Sequence, residues 1–319
     1  MKHRLNLRIL AALGVFVVLS CSAQAQSIDA EFDRSFDVTG RIELDVATGS
    51  GNVIVRRSGG DTARVRGELR IHDRGSIWSF WRRGSRLSDE EIERLIEEFE
   101  QRPPVELSGN RLRVGHIDEE WRHGFSVSYE IEVPAVTDVE ARTGSGRAEI
   151  DGIEGRVVAR TGSGGVVLRD VIGNVEARSG SGSIRAEALA GSFDGRAGSG
   201  SIEVDLVAAG SVNVSTGSGS IRLAGLDGAL TARAGSGSIT IAGQPVERWE
   251  LQTGSGSIRL SLPEESAFDV DARTGSGGVT TDHPLTIRGR VDRNRLQGQV
   301  RGGGPLISAR TGSGGIRIE

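Results

Sequence analysis

The chain has 319 residues, of which 47 are Gly and only 4 % are aromatic, and its formal net charge is −4. That balance argues against bulk nucleic-acid binding, and a chain so poor in large rings must build a thin core from Val, Ile, Leu and Ala. Nearly all of its basic charge is Arg, because the only Lys is Lys2.

The first residues read as a secretion signal. Lys2, His3, Arg4 and Arg8 form a positive start, and Ile9 to Leu19 is an apolar run too short to span a bilayer. Ala23-Gln24-Ala25 is an A-x-A cleavage pattern that would put the mature start at Gln26. Lipid attachment at Cys21, the single Cys, is the rival reading, disfavoured by Leu19-Ser20 before it. Cleavage at Gln26 leaves a mature chain without Cys, hence without disulfides or thiol chemistry. No other stretch is apolar enough for a membrane span. The expected organisation is a signal peptide at 1–25, N-terminal strands at 26–138 with an insertion at 73–104, and repeats over 139–319.

Arg41 to Val46 alternates with period two, Gly49-Ser50-Gly51 makes a turn, and Asn52 to Arg56 resumes the alternation. Ala63 to His72 is a further alternating strand. From Asp73 the pattern breaks at Ile77-Trp78-Ser79-Phe80-Trp81, whose Trp78, Phe80 and Trp81 either pack beneath the inserted helix or on the first coil, or present a partner surface. Ser88-Asp89-Glu90-Glu91 is a capping box, and Ile92, Leu95, Ile96 and Phe99 follow at helical spacing, so a helix of about 12 residues is expected before Pro103-Pro104. Val105 to Leu107 and Arg111 to Val114 read as a hairpin, and Ser126 to Val133 as a strand.

The rest is a repeat. Gly-Ser-Gly begins at Gly144, Gly162, Gly180, Gly198, Gly217, Gly235, Gly254, Gly275 and Gly312. The steps are close to 18 residues except for the last, 312 − 275 = 37, which reads as two steps with one copy worn away. A period near 18 signals a solenoid. Strands such as Val139 to Arg142 precede each turn, and strands such as Ser183 to Ala186 follow it, each with one apolar face. The fold class expected is therefore all-β: a single-stranded parallel β-solenoid of ~18-residue coils, with a small N-terminal β part carrying one inserted helix. Coils about 4.8 Å apart would build a rod of roughly 40–50 Å. The motif glycines are expected to take positive φ at the corner, and the stacked Ser and Thr hydroxyls to hydrogen-bond along the ladder. Pro284 to Pro305 interrupts the period.

The Thr-Gly-Ser-Gly repeats behind a signal peptide, Glu132-Val133-Pro134 before the first full coil, and the terminal Gly-Gly-Gly-Pro followed by Thr-Gly-Ser-Gly-Gly-Ile-Arg-Ile resemble the bacterial putative-adhesin domain of unknown function, a relative of the head-GIN adhesin-like domain. The resemblance covers about residues 35–319. It implies a β-solenoid exported to the envelope and brings no catalytic residues. The insertion at 73–104 departs from the simpler family pattern.

Specific chemistry finds little support. A phosphate loop needs a Lys that the mature chain lacks. A calcium roll needs Asp where these repeats carry Ser, Ile or Arg. His116, Asp118, Glu119, Glu120 and His123 read as a solvated charged loop rather than a ligand set. No cofactor or metal is expected. The pointed feature is the Arg before each turn: Arg142, Arg160, Arg178, Arg196, Arg233, Arg273 and Arg310 share one coil position. Carboxylates two residues earlier would neutralise them; otherwise they form a ladder for an anionic polymer, since Arg forks match phosphate and carboxylate. The expectation is a non-enzymatic binding or structural module of the cell envelope, in the periplasm, at the outer membrane or secreted. Its candidate partners are envelope glycan, lipopolysaccharide or another envelope protein. The alternatives are an enzyme acting on acidic polysaccharide, and a sensor or assembly partner working through 73–104.

Overall fold

The structure is a computed structural model, and it describes residues 29–71, 89–115, 125–287 and 292–319. The expected signal peptide, Cys21, Trp78, Phe80, Trp81 and the His116–His123 group lie outside these residues. Two long sheets face each other, one of 14 strands and one of 13. Strands that lead into the Gly-Ser-Gly corner, such as Val157–Thr161 and Val175–Ser179, form the larger, leading sheet. Strands that follow it, such as Val166–Arg169 and Ile184–Ala190, form the trailing sheet. Successive coils pair in parallel and in phase, with Arg160 beside Arg142 on one side and Arg178 on the other. The solenoid of two-stranded coils is thus as the period implied.

Alternation decides which side chains enter the core. In Val175–Ser179 the valine, Ala177 and Ser179 are buried while Glu176 and Arg178 face out. Each coil adds a few such side chains, among them Ile221, Leu223, Leu226, Leu230 and Ala232 in one coil, to a continuous core between the sheets. A fully buried aliphatic side chain contributes roughly 1.5–3 kcal/mol. Trp249 is the largest fully buried side chain among the described residues, and its indole N–H donates to the Gly228 carbonyl at 2.9 Å.

Most motif glycines correct the expectation of positive φ, which holds at Gly51 (131°) and Gly314 (152°). None of Gly144, Gly146, Gly162, Gly164, Gly180 and Gly182 has one. A Cβ on any of them would instead collide with the carbonyl of the equivalent glycine one coil earlier: Gly162 with Gly144, Gly180 with Gly162, Gly182 with Gly164. Positive φ occurs at the second turn, at Gly152 (72°) and Gly225 (69°) among others.

The residue before the motif locks the corner. The Thr253 hydroxyl donates to the Gly237 carbonyl of the preceding coil at 2.7 Å and accepts from the Gly256 amide of its own coil at 3.2 Å. Thr216 does the same with Gly200 and Gly219. These buried hydroxyls replace water for backbone groups that a turn would leave unpaired.

Both ends depart from simple winding. Ile42–Thr48 and Val53–Arg57 form a coil that stacks directly under Thr137–Thr143 and Ala148–Asp151, although some 90 residues separate them. The sheets therefore run unbroken across residue 138. Below that coil, Ala30–Asp37, Thr62–Ile71 and Phe125–Val133 pair antiparallel, and the hairpin Val105–Ser108 with Arg111–Val114 closes the leading sheet. The helix Asp89–Gln101 packs Leu95 and Phe99 inward, with the Phe99 and Phe32 rings 5.0 Å apart.

At the other end the chain order is inverted. The last coil, Leu306–Ser313 with Ile316–Ile318, lies between the coil of Trp249–Thr253 and the coil of Phe268–Ser276. Gly275 sits on Gly312, and Gly312 on Gly254. The 37-residue step therefore hides no lost copy. It spans a single stacking step taken backwards, after an excursion through Leu285–Ile287 and Arg295–Val300, which pair antiparallel and extend the leading sheet.

Candidate functional face

The outer side of the leading sheet carries the arginine column. In-register parallel pairing places Arg142, Arg160, Arg178 and Arg196 on four successive strands, because each stands at the same pleat position of its coil. Ser215 follows, then Arg233, Gln252, Arg310 and Arg273. All seven predicted arginines are thus brought onto one face, in the spatial order 310 before 273. Among the described residues no group of His, Cys, Asp and Glu is placed to hold a metal ion.

Like charges on adjacent strands repel, and carboxylates two residues earlier in the strands offset this. Arg142 pairs with Asp45 at 3.0 Å and with Glu140; Arg160 bridges Glu140 at 3.1 Å and Glu176 at 2.9 Å. Arg178 meets Glu176 at 3.1 Å, and Arg196 meets Asp194 at 3.0 Å. The hydrogen bond from Arg160 is the main cause holding the Glu176 carboxyl below the usual carboxylate range, with the charges of Arg178 and Arg160 helping against partial burial. The first half of the column is therefore an ion-paired lattice. On the trailing sheet Glu203 is held low in the same way, first by its hydrogen bond from Arg185.

The second half differs. Arg233 reaches Glu250 at 3.6 Å, and Arg273 binds Asp271 through two hydrogen bonds of 2.9 Å. Arg310 has Ser308 two residues before it, where the coils of Arg142, Arg178, Arg196 and Arg273 carry an acid, and it has no carboxylate partner among the described residues. Arg295 was not singled out by its spacing because it belongs to the excursion. Antiparallel pairing sets it directly opposite Arg273, on the same face.

A cavity of about 520 Å³ opens at the corner near the N-terminal end, where Thr48, Phe125 and Val127 meet Arg142 and Arg160. Its lining reaches the ion-paired half of the column through Arg142 and Arg160.

The Toastrack DUF4097 family model matches residues 107–319. The chain belongs to the Toastrack DUF4097 family. That family is of unknown function, and its match spans every coil from Thr137 onward. No curated protein matches the chain. Among solved structures, a "putative lipid binding protein" from Parabacteroides distasonis aligns at 13 % identity over 91 % of this chain and 97 % of its own, with a TM-score of 0.45. A "putative adhesin" from Bacteroides fragilis aligns at 13 % identity over the same shares with a TM-score of 0.37. A "putative cell adhesion protein" from Clostridium sporogenes aligns at 11 % identity over 90 % and 97 %, with a TM-score of 0.22. At such scores these alignments carry neither a superposition nor a function.

Proposed function

We propose that this Toastrack protein is an exported, non-enzymatic, adhesin-like module of the bacterial cell envelope, which binds an anionic envelope polymer along the outer side of its leading sheet. The observation that carries the reading is the in-register arginine column: parallel coils about 4.8 Å apart repeat one guanidinium position, broken only at Ser215 and Gln252, a spacing suited to a repetitive ligand rather than to one small molecule. Arg presents a planar fork that matches phosphate and carboxylate groups. The signal-like residues 1–25 support export, and no helix among the described residues is long and apolar enough to cross a membrane. The candidate ligands are acidic glycan and lipopolysaccharide; another envelope protein is the further partner of this reading.

Two experiments test it. Retention of the protein on an immobilised acidic polysaccharide at low salt, lost as salt rises, is expected; absence of retention on acidic polysaccharide and on lipopolysaccharide refutes the binding function. N-terminal sequencing of protein recovered from the envelope of an expressing bacterium is expected to begin at Gln26; a chain retained in the cytoplasm with Met1 intact refutes export.

A further inference from the structure

The arginines of the column are not equivalent, and the difference locates the ligand. This inference rests on the anionic-polymer reading above. In the first half every guanidinium is already occupied: Arg142, Arg160, Arg178 and Arg196 each hold a carboxylate. A ligand would have to break those pairs before it gained any. At the far end, three neighbouring strands bring Arg310, Arg273 and Arg295 side by side, and Asp271 is the carboxylate bonded to that row. Arg310 has no carboxylate partner among the described residues, and Arg295 donates to the neutral Gln297 at 2.8 Å. Asp292 adjoins Arg295 through a backbone bridge, and Arg310 lies between Arg273 and Gln252.

Three cations on adjacent strands with one bonded carboxylate repel one another. The fold does not require this. Elsewhere in the column each Arg pairs with an acid two residues before it or with one on an adjacent coil, as Arg160 does with Glu140 and Glu176 and Arg233 with Glu250, whereas Arg310 follows Ser308 and pairs with neither kind. The antiparallel excursion then adds Arg295 directly opposite Arg273, where an acid would have stabilised the pair. The row runs along the solenoid axis, one side chain per strand, at about 4.8 Å per step. That advance is close to the length of one sugar residue in an extended polysaccharide, so successive acidic sugars can meet successive guanidiniums. An anionic bilayer fits less well, because Glu250, Asp271 and Asp269 lie on the same face and would be repelled by a continuous negative surface.

We infer that Arg310, Arg273 and Arg295, with Gln252 at the end of the row, form the binding site for an extended acidic polysaccharide whose carboxylate or sulfate groups complete the ion pairs the fold leaves open.

The test uses the full chain and heparin as the probe, by titration at low salt and by salt elution from immobilised heparin. The double variant Arg295→Gln, Arg310→Gln is compared with Arg160→Gln, Arg178→Gln, each checked for an unchanged circular dichroism spectrum and melting transition. Arg295→Gln, Arg310→Gln is expected to weaken heparin binding about tenfold or more, since charge-assisted hydrogen bonds are the strong ones, and to elute at lower salt. Arg160→Gln, Arg178→Gln is expected to weaken binding clearly less than Arg295→Gln, Arg310→Gln does, since its lost cations already served internal pairs. If the second variant loses binding and the first keeps it, the location is wrong while the polymer reading stands. If wild type does not bind heparin, the polymer reading itself falls. Binding to phosphatidylglycerol vesicles but not to heparin overturns the choice of a polysaccharide. Should Arg295→Gln, Arg310→Gln alter the fold, Arg310→Lys is the second variant: it keeps the charge but not the fork, and an elution position unchanged from wild type overturns the guanidinium-specific site.

Discussion

Two glycines at one place in the repeat make a matched test of why the corner needs Gly. Gly162 is the first Gly of its motif, and a Cβ there would meet the Gly144 carbonyl; Gly49 holds the same place in the lowest coil, and a Cβ there meets nothing within 4 Å. Neither has a positive φ, so strain in the turn itself is equal. In Gly162→Ala, either the carbonyl or the whole coil must shift, because the strand step is held near about 4.8 Å by the ladder. Overpacking of this kind costs about 1–3 kcal/mol. The shift also disturbs the bonds from the Gly162 amide to the Thr143 carbonyl (3.1 Å) and from the Ser163 amide to the Gly144 carbonyl (2.9 Å), each worth roughly 0.5–1.5 kcal/mol. Gly49→Ala restricts only the unfolded chain and is expected to stabilise by about 0.4–1 kcal/mol. The expected gap between the two variants is about 4 kcal/mol. At about 2.1 cal/mol/K per residue, the roughly 260 described residues lose about 0.55 kcal/mol per degree near the midpoint, so the gap is about 7 °C in Tm. Thermal melts of the two purified variants read it directly. Indistinguishable melting temperatures would refute the close-approach account.

Thr253→Val keeps the shape but removes the hydroxyl that joins Gly237 and Gly256; a loss of about 1–3 kcal/mol in guanidinium denaturation is expected, with Thr253→Ser recovering part of it. Because the carboxyls of Glu176 and Glu203 sit below their ordinary range in the folded chain, the unfolded chain binds protons first, so their contribution is present above the ordinary carboxylate pKa and is lost as pH falls through the folded values. Denaturation midpoints should accordingly drop on acidification, and less steeply in Glu176→Gln, Glu203→Gln. Cysteines at Glu250 and Ser308, whose Cα atoms pair on adjacent strands, should form an intramolecular disulfide on mild oxidation, seen as a mobility shift without reductant. Cysteines at 250 and 271 should form none, and the reverse outcome would overturn the inverted order of the last two coils.

How much of this was legible beforehand follows from what each feature depends on. The coil period, the strand alternation and the helix Asp89–Gln101 depend on residues near one another in sequence, and all three could be read there. The pairing of the arginines was legible only in kind. Arg160 does meet acids of its neighbouring coils, but Arg142 finds Asp45 from a coil 97 residues upstream, and Arg295 joins the column through an antiparallel excursion that carries no repeat. The motif glycines were misread locally for the same reason: the atom that forbids a Cβ at Gly164 belongs to Gly146, one coil below, not to its own turn.

By itself, then, the sequence determined that this chain is a stack of parallel coils with arginines in line, because an 18-residue period with one apolar face per strand buries its side chains best in that arrangement. It could not determine the order of the stack. Trp249, Ile307 and Val270 occupy equivalent coil positions, so any sequence of those coils satisfies the same pattern of burial. Only the tertiary structure placed the last coil inside the one before it, and that choice set Arg310, Arg273 and Arg295 on neighbouring strands, with Asp271 the carboxylate bonded to that row.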